Sequence, residues 1–345
     1  MPSEKQYLER RENIAAILQY IRANGAKSRR QIADDLELSW GCVSELVSIL
    51  LMQDILKEQE VEGIKAKGRT PMVLTLNNDI CFLGIDINLN GLRGCVCNLS
   101  GEKIDSFESV LNCDSKEAFV ETVGSFVDEI TNKHKEIRGV GFAMQGIFNT
   151  KRQVWNFPAK PNFEVHFKND FAHRLSLPFL VEHDPNCILY GCLDTTCNNT
   201  MVVRLDSGIG AAIYTNNAFL KNDLLEIGHI VVNEQGERLH DKVSIKAMEK
   251  ACGKSIDICD SATQHFFEDV GKYLGITLGN VCNLFALDKI VICGDITNYY
   301  PLFSATLMQY YTRTAISTQK AEIAAINVTD AAYGAAKMAI DKFQY

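Results

Sequence analysis

In the first fifty positions apolar residues recur three or four apart, the period of a helix. ENIAAILQYIRAN (12–24) sets Ile14, Ile17, Leu18 and Ile21 on one face, and Gly25 ends the run. SRRQIADDLEL opens on Ser28, an N-cap whose capping-box partner is Gln31; Ile32, Ala33 and Leu36 face inward. Ser39 caps a third helix, WGCVSELVSILLMQ, with Val43, Leu46, Val47 and Leu50 on its inner side. The segments DILKEQEVEG and PMVLTLN read as two strands. Three short helices with a tight turn between the last two predict a helix-turn-helix, and the strands add a wing.

The residues left outside set the chemistry of this head. Trp40, Gly41, Ser44, Glu45 and Ser48 fall on the outer face of the third helix, whose N-terminal end is the part that meets base edges in a major groove. Arg29 and Arg30 open the second helix, where phosphate contacts set register. KAKGRTP (65–71) carries Lys65, Lys67 and Arg69 on a loop suited to a narrow minor groove. The same pattern would also serve a three-helix protein-interaction module with a plain basic linker.

From residue 80 the period changes. ICFLGIDINLNGLRGCVCNLSGEKIDSFESV breaks apolar runs at Asn-Gly and Ser-Gly, which predicts three antiparallel strands with tight turns. TMVVRLDSGIGAAIYTNNAFL (200–220) repeats the plan. Each copy is followed by a helical segment (116–132 and 261–286) and then an apolar strand, GVGFAM (139–144) and KIVICG (289–294). Two β-β-β-α-β-α halves with a cleft between them are the architecture of the actin-like (ribonuclease H-like), two-lobed sugar-kinase fold. The expected class is therefore α/β, preceded by an all-α/winged helix-turn-helix domain. The expected boundaries are 1–76 for the head with a basic linker at 63–71, 77–198 plus about 328–345 for the first lobe, and 199–327 for the second.

Charge sharpens that division. Residues 1–78 carry 11 Lys and Arg against 11 Asp and Glu, so the whole net charge of −8 lies in the body. An acidic body argues against broad nucleic-acid binding by the larger part but leaves room for a small DNA-reading head. The 12 Cys are scattered without tandem CxxC pairs, and the N-terminus lacks the pattern of a secretion signal, so the expectation is a cytoplasmic protein with reduced thiols. Cys95 and Cys97 alternate as core residues of a strand. No run reaches ~18 uninterrupted apolar residues, so no membrane span is expected.

In the expected architecture Asp-Gly turns cradle ATP phosphates with backbone amides. Here the first turn, DINLNGL (86–92), has Asn88 and Leu89 where close approach needs Gly. The second, DSGIGAAI (206–213), has Ala211 and Ala212, and the third, CGDIT (293–297), adds Asp295, a carboxylate that would repel a nucleotide. ATP is not expected as a cofactor.

GRTPMVLTLN after the wing, EIGHIVV, EHDPN before a helix, and LGITLGNVCNLFALDKIVICGD together make the chain resemble the ROK family (repressors, open reading frames, kinases), in its winged-helix repressor branch. The family's kinases carry a DxGxT-type and a GTGxGGG-type phosphate turn, and neither is intact here. Many members follow the Glu-x-Gly-His with three Cys that bind zinc together with the His. Here Leu239 stands at the first of those positions, Asp241 near the second and Lys246 or Ala247 near the third, so zinc is not expected. By the resemblance, Glu226, His229 and Glu249 contact sugar hydroxyls, and Asp184 matches the kinase base. His183 replaces a sugar-contacting Asn, and Asn162 is a weaker candidate. Acceptor-only carboxylates beside a His suit a ring of hydroxyl groups whatever the family. Gln145-Gly146 matches a turn under the sugar.

The resulting expectation is a sugar-responsive regulator, a repressor that binds a two-fold operator in double-stranded DNA as a homodimer or homotetramer. A sugar or sugar phosphate in the cleft would modulate it. The rivals are a ROK kinase that kept a DNA-binding head, with Asp184 as base and Asp86 and Asp206 holding Mg–ATP, and a regulator controlled by a protein partner.

Overall fold

The computed structural model describes residues 4–343 except 61–71, 89–90, 150–151, 153, 158–159, 194–198, 217, 221–224, 254–257, 317–319 and 327–329; at 4–6, 157 and 160–162 it describes the backbone alone. The head forms α1 (Glu4–Asn24), α2 (Arg29–Asp35) and α3 (Trp40–Met52). The first helix begins earlier than its apolar stripe. The capping box on α2 is present: Gln31 N–H donates to Ser28 Oγ at 3.3 Å, and Ser28 N–H donates to Gln31 Oε1 at 2.9 Å. Ser39 Oγ accepts from Cys42 N–H at 3.2 Å and starts α3. The inner-face residues named above are buried, with Ile17, Ile32, Val43, Val47 and Leu50 at 0% exposure. Each such burial contributes about 1.5–3 kcal/mol. β1 (Leu56–Glu60) and β2 (Met72–Leu76) pair antiparallel, and Lys27 joins their edge through two backbone hydrogen bonds to Leu74. The whole basic linker expected at 63–71, with Lys65, Lys67 and Arg69, lies outside the described residues.

Two five-stranded sheets follow, built alike. In the first, β3 (Cys81–Asn88), β4 (Gly91–Asn98) and β5 (Lys103–Ser109) run antiparallel; α4 (Lys116–Lys133) leads to β6 (Ile137–Met144). A three-stranded antiparallel ribbon of β7 (Ile147–Asn149), β8 (Val154–Phe157) and β9 (Lys160–Val165) and the short α5 (Phe167–Asp170) interrupt the plan before β10 (Phe179–His183) and α6 (Asp184–Cys192). In the second, β11 (Thr200–Leu205), β12 (Ile209–Thr215) and β13 (Ala218–Phe219) are antiparallel; α7 (Leu239–Val243), α8 (Ile245–Cys252) and α9 (Ser261–Phe285) lead to β14 (Lys289–Cys293), α10 (Tyr300–Thr314), β15 (Glu322–Ala325) and α11 (Ala331–Phe343). The strand orders are β10-β6-β3-β4-β5 and β15-β14-β11-β12-β13, so the two sheets match position for position. Strands β3 and β6 read as near-continuous apolar runs because both faces are covered, the rule for strands flanked by helices. Cys95 and Cys97 sit in that core at 2% and 0% exposure.

The chain groups into two compact units: Met1–Phe142 with Phe171–Leu180 and Ala335–Tyr345, and Ala143–Asp170 with Val181–Gly334. This grouping cuts across the boundaries expected from the element pattern. The head goes with the first unit because charged side chains tie it there. Arg22 of α1 donates to Leu99 O and to Asp341 Oδ1, each at 3.0 Å, and Arg138 donates to Gln53 O at 3.1 Å. In the second unit, β11, β12 and β14 pack on α9, with Phe267, Leu274 and Leu278 fully buried.

Candidate functional site

β12 gathers the candidate residues of the second unit at its first two positions. A Cβ on Gly210 would lie 2.9 Å from Pro185 Cγ, so the start of α6 packs directly on the strand. A Cβ on Gly228 would lie 3.1 Å from Ile209 Cβ, which seats the 3-10 turn Ile227–His229 on the neighbouring residue. The backbone N–H of Ile245, at the start of α8, donates to Asp206 O at 2.8 Å.

At α6, Asp184 is the first helical residue and Pro185 follows it, an arrangement that suits the positive end of the helix and a fixed φ. Asp184 is 5% exposed. Its Oδ2 accepts from Arg204 Nη1, while Arg204 Nε donates to Asp206 Oδ2. One guanidinium, 13% exposed, thus bridges the carboxylate expected as a kinase base and the carboxylate of the second phosphate turn. Asp206 Oδ1 also accepts from the N–H of Asp295 at 2.8 Å. Cys293, beside these charges, has its thiol pushed well up by burial and stays protonated. Asp206 therefore has both oxygens engaged in hydrogen bonds within the protein. Asp86, in the other unit, is 2% exposed and its Oδ2 accepts from Asn88 Nδ2 at 2.9 Å; Leu89 lies outside the described residues.

His183 caps α6 without a side-chain cap bond. Its Nε2 donates to Gly146 O at 3.0 Å, and its ring stacks on Trp155, with centroids 6.0 Å apart and planes at 23°. Glu182 reinforces this end: its Oε1 accepts from His183 N–H at 2.8 Å and from Asn186 Nδ2 at 2.9 Å. Asn162 lies in β9, and its side chain is outside the described residues.

The 3-10 turn holds Glu226 and His229 together, with Oε2 and Nε2 3.7 Å apart. Arg238 Nη1 donates to His229 Nδ1 at 2.8 Å, and the His240 ring stands edge-on to His229, with centroids 5.3 Å apart. The loop between them closes on itself. Val232 N–H donates to Glu237 O at 2.8 Å, and Leu239 N–H donates to Ile230 O at 2.8 Å. Asn233 Nδ2 donates to Glu237 Oε2 at 2.6 Å, and Lys242 reaches the same oxygen at 2.7 Å. Lys242 holds the Glu237 carboxyl below its ordinary range, and the N–H of Arg238 does the same for Asp241. Leu239 is 0% exposed in the apolar core, so the first position of a Cys set is filled by packing. Asp241 caps α7. Among the described residues no group of three or more His, Cys, Asp or Glu is disposed to hold a metal. Glu249 stands exposed on α8, and among the described residues its carboxylate makes no hydrogen bond to either cluster.

In the head, Trp40 is 57% exposed at the start of α3, with Gly41 and Glu45 also exposed and Ser44 half-buried. Glu45 lies 3.9 Å from Arg10. Ser28 and Ser39 use their hydroxyls as caps. Arg29 is half-buried and ion-paired with Glu58 of β1, whereas Arg30 is 85% exposed. Arg204, Arg238, Trp155 and Glu182 were not singled out from the sequence. Arg204 sits on an apolar strand, VVRLD, where a lone buried cation two residues from an Asp was the one available signal.

The family model described as "ROK family" matches residues 82–342. The xylose repressor of Bacillus spizizenii is 22% identical over 329 residues, covering 86% of this chain and 85% of its own. NagC of Escherichia coli K12, a DNA-binding transcriptional dual regulator, is 24% identical over 337 residues, covering 83% and 80%. A crystal structure of a ROK family transcriptional regulator, homologous to the E. coli MLC protein, superposes with a TM-score of 0.84 at 17% identity, covering 97% of this chain and 96% of that one. A Streptomyces griseus ROK glucokinase in complex with glucose and AMPPNP superposes with a TM-score of 0.63 at 18% identity, covering 75% and 99%. The fold is thus that of the actin-like ROK proteins, and the regulator's likeness takes in the helical head.

Proposed function

The chain belongs to the ROK family, and from that premise we propose that it is a DNA-binding, sugar-responsive transcriptional regulator, a repressor, and not a sugar kinase. The observation that carries this reading is the Arg204 bridge. A kinase base must accept a hydroxyl proton, and a metal-holding Asp must reach Mg²⁺. Here one internal guanidinium neutralises both carboxylates. A sensor needs only the sugar contacts, and Glu226 and His229 remain 36% and 53% exposed.

The head reads an operator through the N-terminal end of α3, with Trp40, Gly41, Ser44 and Glu45 toward the bases and Arg30 on a phosphate. Lys67 and Arg69 of the linker enter the minor groove. Two copies bind half-sites about one helical turn or a multiple apart. A sugar that binds one conformation more tightly than the other shifts operator affinity by that difference. The curated relatives include repressors named for xylose and for N-acetylglucosamine. Neutral monosaccharides and their phosphates are therefore the effectors to screen.

The test is operator affinity by fluorescence anisotropy at fixed salt, on DNA from upstream of the protein's own gene, with xylose, N-acetylglucosamine, other monosaccharides and their phosphates titrated in. Salt is fixed because phosphate contacts make affinity depend on it. The expected result is that one sugar weakens binding and that Glu226→Ala removes the response while leaving DNA binding intact. Tight binding that no sugar alters would favour control by a protein partner. ATP consumption that depends on sugar and disappears in Asp184→Asn would overturn the non-enzyme reading.

A further inference from the structure

The Glu226–His229 pair has a feature set from outside it. Arginine carries only donors, so the 2.8 Å contact from Arg238 Nη1 obliges His229 Nδ1 to accept. An imidazole whose Nδ1 accepts carries its one proton on Nε2. That nitrogen faces Glu226 Oε2 across 3.7 Å, too far for a hydrogen bond between them. The donor and the carboxylate are therefore left side by side, both partly exposed, with neither consumed by the other.

We propose that Arg238 is a positioning residue that fixes His229 as an Nε2–H donor and so makes the Glu226–His229 pair select a neutral hydroxyl. A hydroxyl oxygen within reach of both groups accepts from Nε2–H and donates its own proton to the carboxylate. Both of its hydrogen-bonding senses are then satisfied. A carboxylate or ionised phosphate oxygen can only accept, and any phosphate also brings negative charge against that of Glu226. With the proton on Nδ1 instead, the pair would offer two acceptors and could hold only a donor. Local structure keeps Arg238 in place. It bridges back to Val231, and its backbone N–H caps α7 by donating to Asp241 Oδ2 at 2.9 Å. The hydroxyl preference rests on the effector reading above; the tautomer does not.

The experiment is long-range ¹H–¹⁵N correlation NMR on the full chain labelled with ¹⁵N-histidine, with His229 assigned by loss of its signals in His229→Asn. The expected wild-type ring is the Nε2–H tautomer. Arg238→Ala keeps the capping N–H and is expected to give a mixture of both tautomers, while Arg238→Lys, which retains a donor, restores most of the wild-type pattern. An Nδ1–H ring in the wild type, or a pattern unchanged in Arg238→Ala, would overturn the proposal. In a second arm, neutral monosaccharides and inorganic phosphate are added to the labelled protein. A monosaccharide is expected to shift the Nε2 signal and to bind about tenfold more weakly in Arg238→Ala; a shift caused by phosphate alone would overturn the hydroxyl preference. If the tautomer result holds and no monosaccharide shifts the signal, the effector reading of the site fails while the role of Arg238 stands.

Discussion

Replacing Arg204 by Met keeps the length of the side chain and removes its charge. The structure sets the size of the effect. The side chains of Asp184, Arg204 and Asp206 are 7%, 13% and 19% exposed, so the guanidinium compensates one deeply buried and one mostly buried carboxylate. Breaking a buried pair by removing one partner costs about 3–5 kcal/mol, because the other charge is left uncompensated. Asp206 keeps the N–H of Asp295, so most of the loss falls on Asp184, and about 3 kcal/mol is expected. With a urea m-value of about 3 kcal/mol per molar, the midpoint drops by roughly 1 M. Tryptophan fluorescence isolates the relevant unit. Trp155 is 4% exposed and stacks on His183, whereas Trp40 is 57% exposed already, so the unfolding signal comes mainly from Trp155. Adding Asp184→Asn to Arg204→Met removes the orphaned charge and should recover about 1.5 kcal/mol, a coupling in the range of directly interacting groups. A midpoint shift below roughly 0.3 M, or a double variant no more stable than Arg204→Met, would refute the claim that this bridge is a buried charge network.

Three further outcomes are expected. Trp40→Ala should lower operator affinity by about ten- to a hundredfold, the scale of one lost base contact, and leave thermal stability within about 0.5 kcal/mol because the ring is exposed; anisotropy and melting read the two effects separately. Gly334→Ala puts a Cβ 1.7 Å from Cys187 O, so α11 must move off α6, and the cost by thermal melting is about 1–3 kcal/mol. In the first unit, burial opposes charging of His134, but Asp105 and Glu136, at 3.0 and 2.9 Å from its two ring nitrogens, hold its pKa above the ordinary 6.5. A raised folded pKa contributes stability that is present below about 6.5 and lost as pH rises through the folded value. Scanning fluorimetry from pH 6 to 8.5 should therefore show the wild type losing its advantage over His134→Gln as pH rises; parallel curves would sink this attribution.

Most elements were legible because their signals are local. Helical spacing of Ile14, Ile17, Leu18 and Ile21, caps at Ser28 and Ser39, and Gly-containing breaks between apolar runs each act within one turn of chain. The repeated element order also surfaced, since it needs only the sequence of periods. The β7–β8–β9 ribbon did not. Its strands are three to six residues long and pair only with each other, so no run is long enough to show alternation. The grouping of the head with the first unit was hidden too, because it rests on Arg22 and Asp341, 319 positions apart in sequence.

The site shows where reading residue types along a chain stops working. Asp184 is a buried acid at the start of a helix, and the family resemblance implied a proton acceptor there. What a carboxylate does depends on which cation faces it, and that cation is Arg204, 20 positions away on another strand. Nothing in VVRLD says that the side chain turns back toward α6 and not outward. Once it does, the logic of retention changes. Asp184 and Asp206 no longer need to serve chemistry in order to persist, because losing either one leaves the guanidinium short of a partner in a poorly solvated place. A buried acid can thus be held by its structural partner alone, whatever chemistry it serves. In the loop after His229, Leu239 and Asp241 likewise supply packing and a cap at and near the first two positions where the family resemblance places cysteines. Residues at such positions report the space they fill, and the neighbours that give them a role come from elsewhere in the chain.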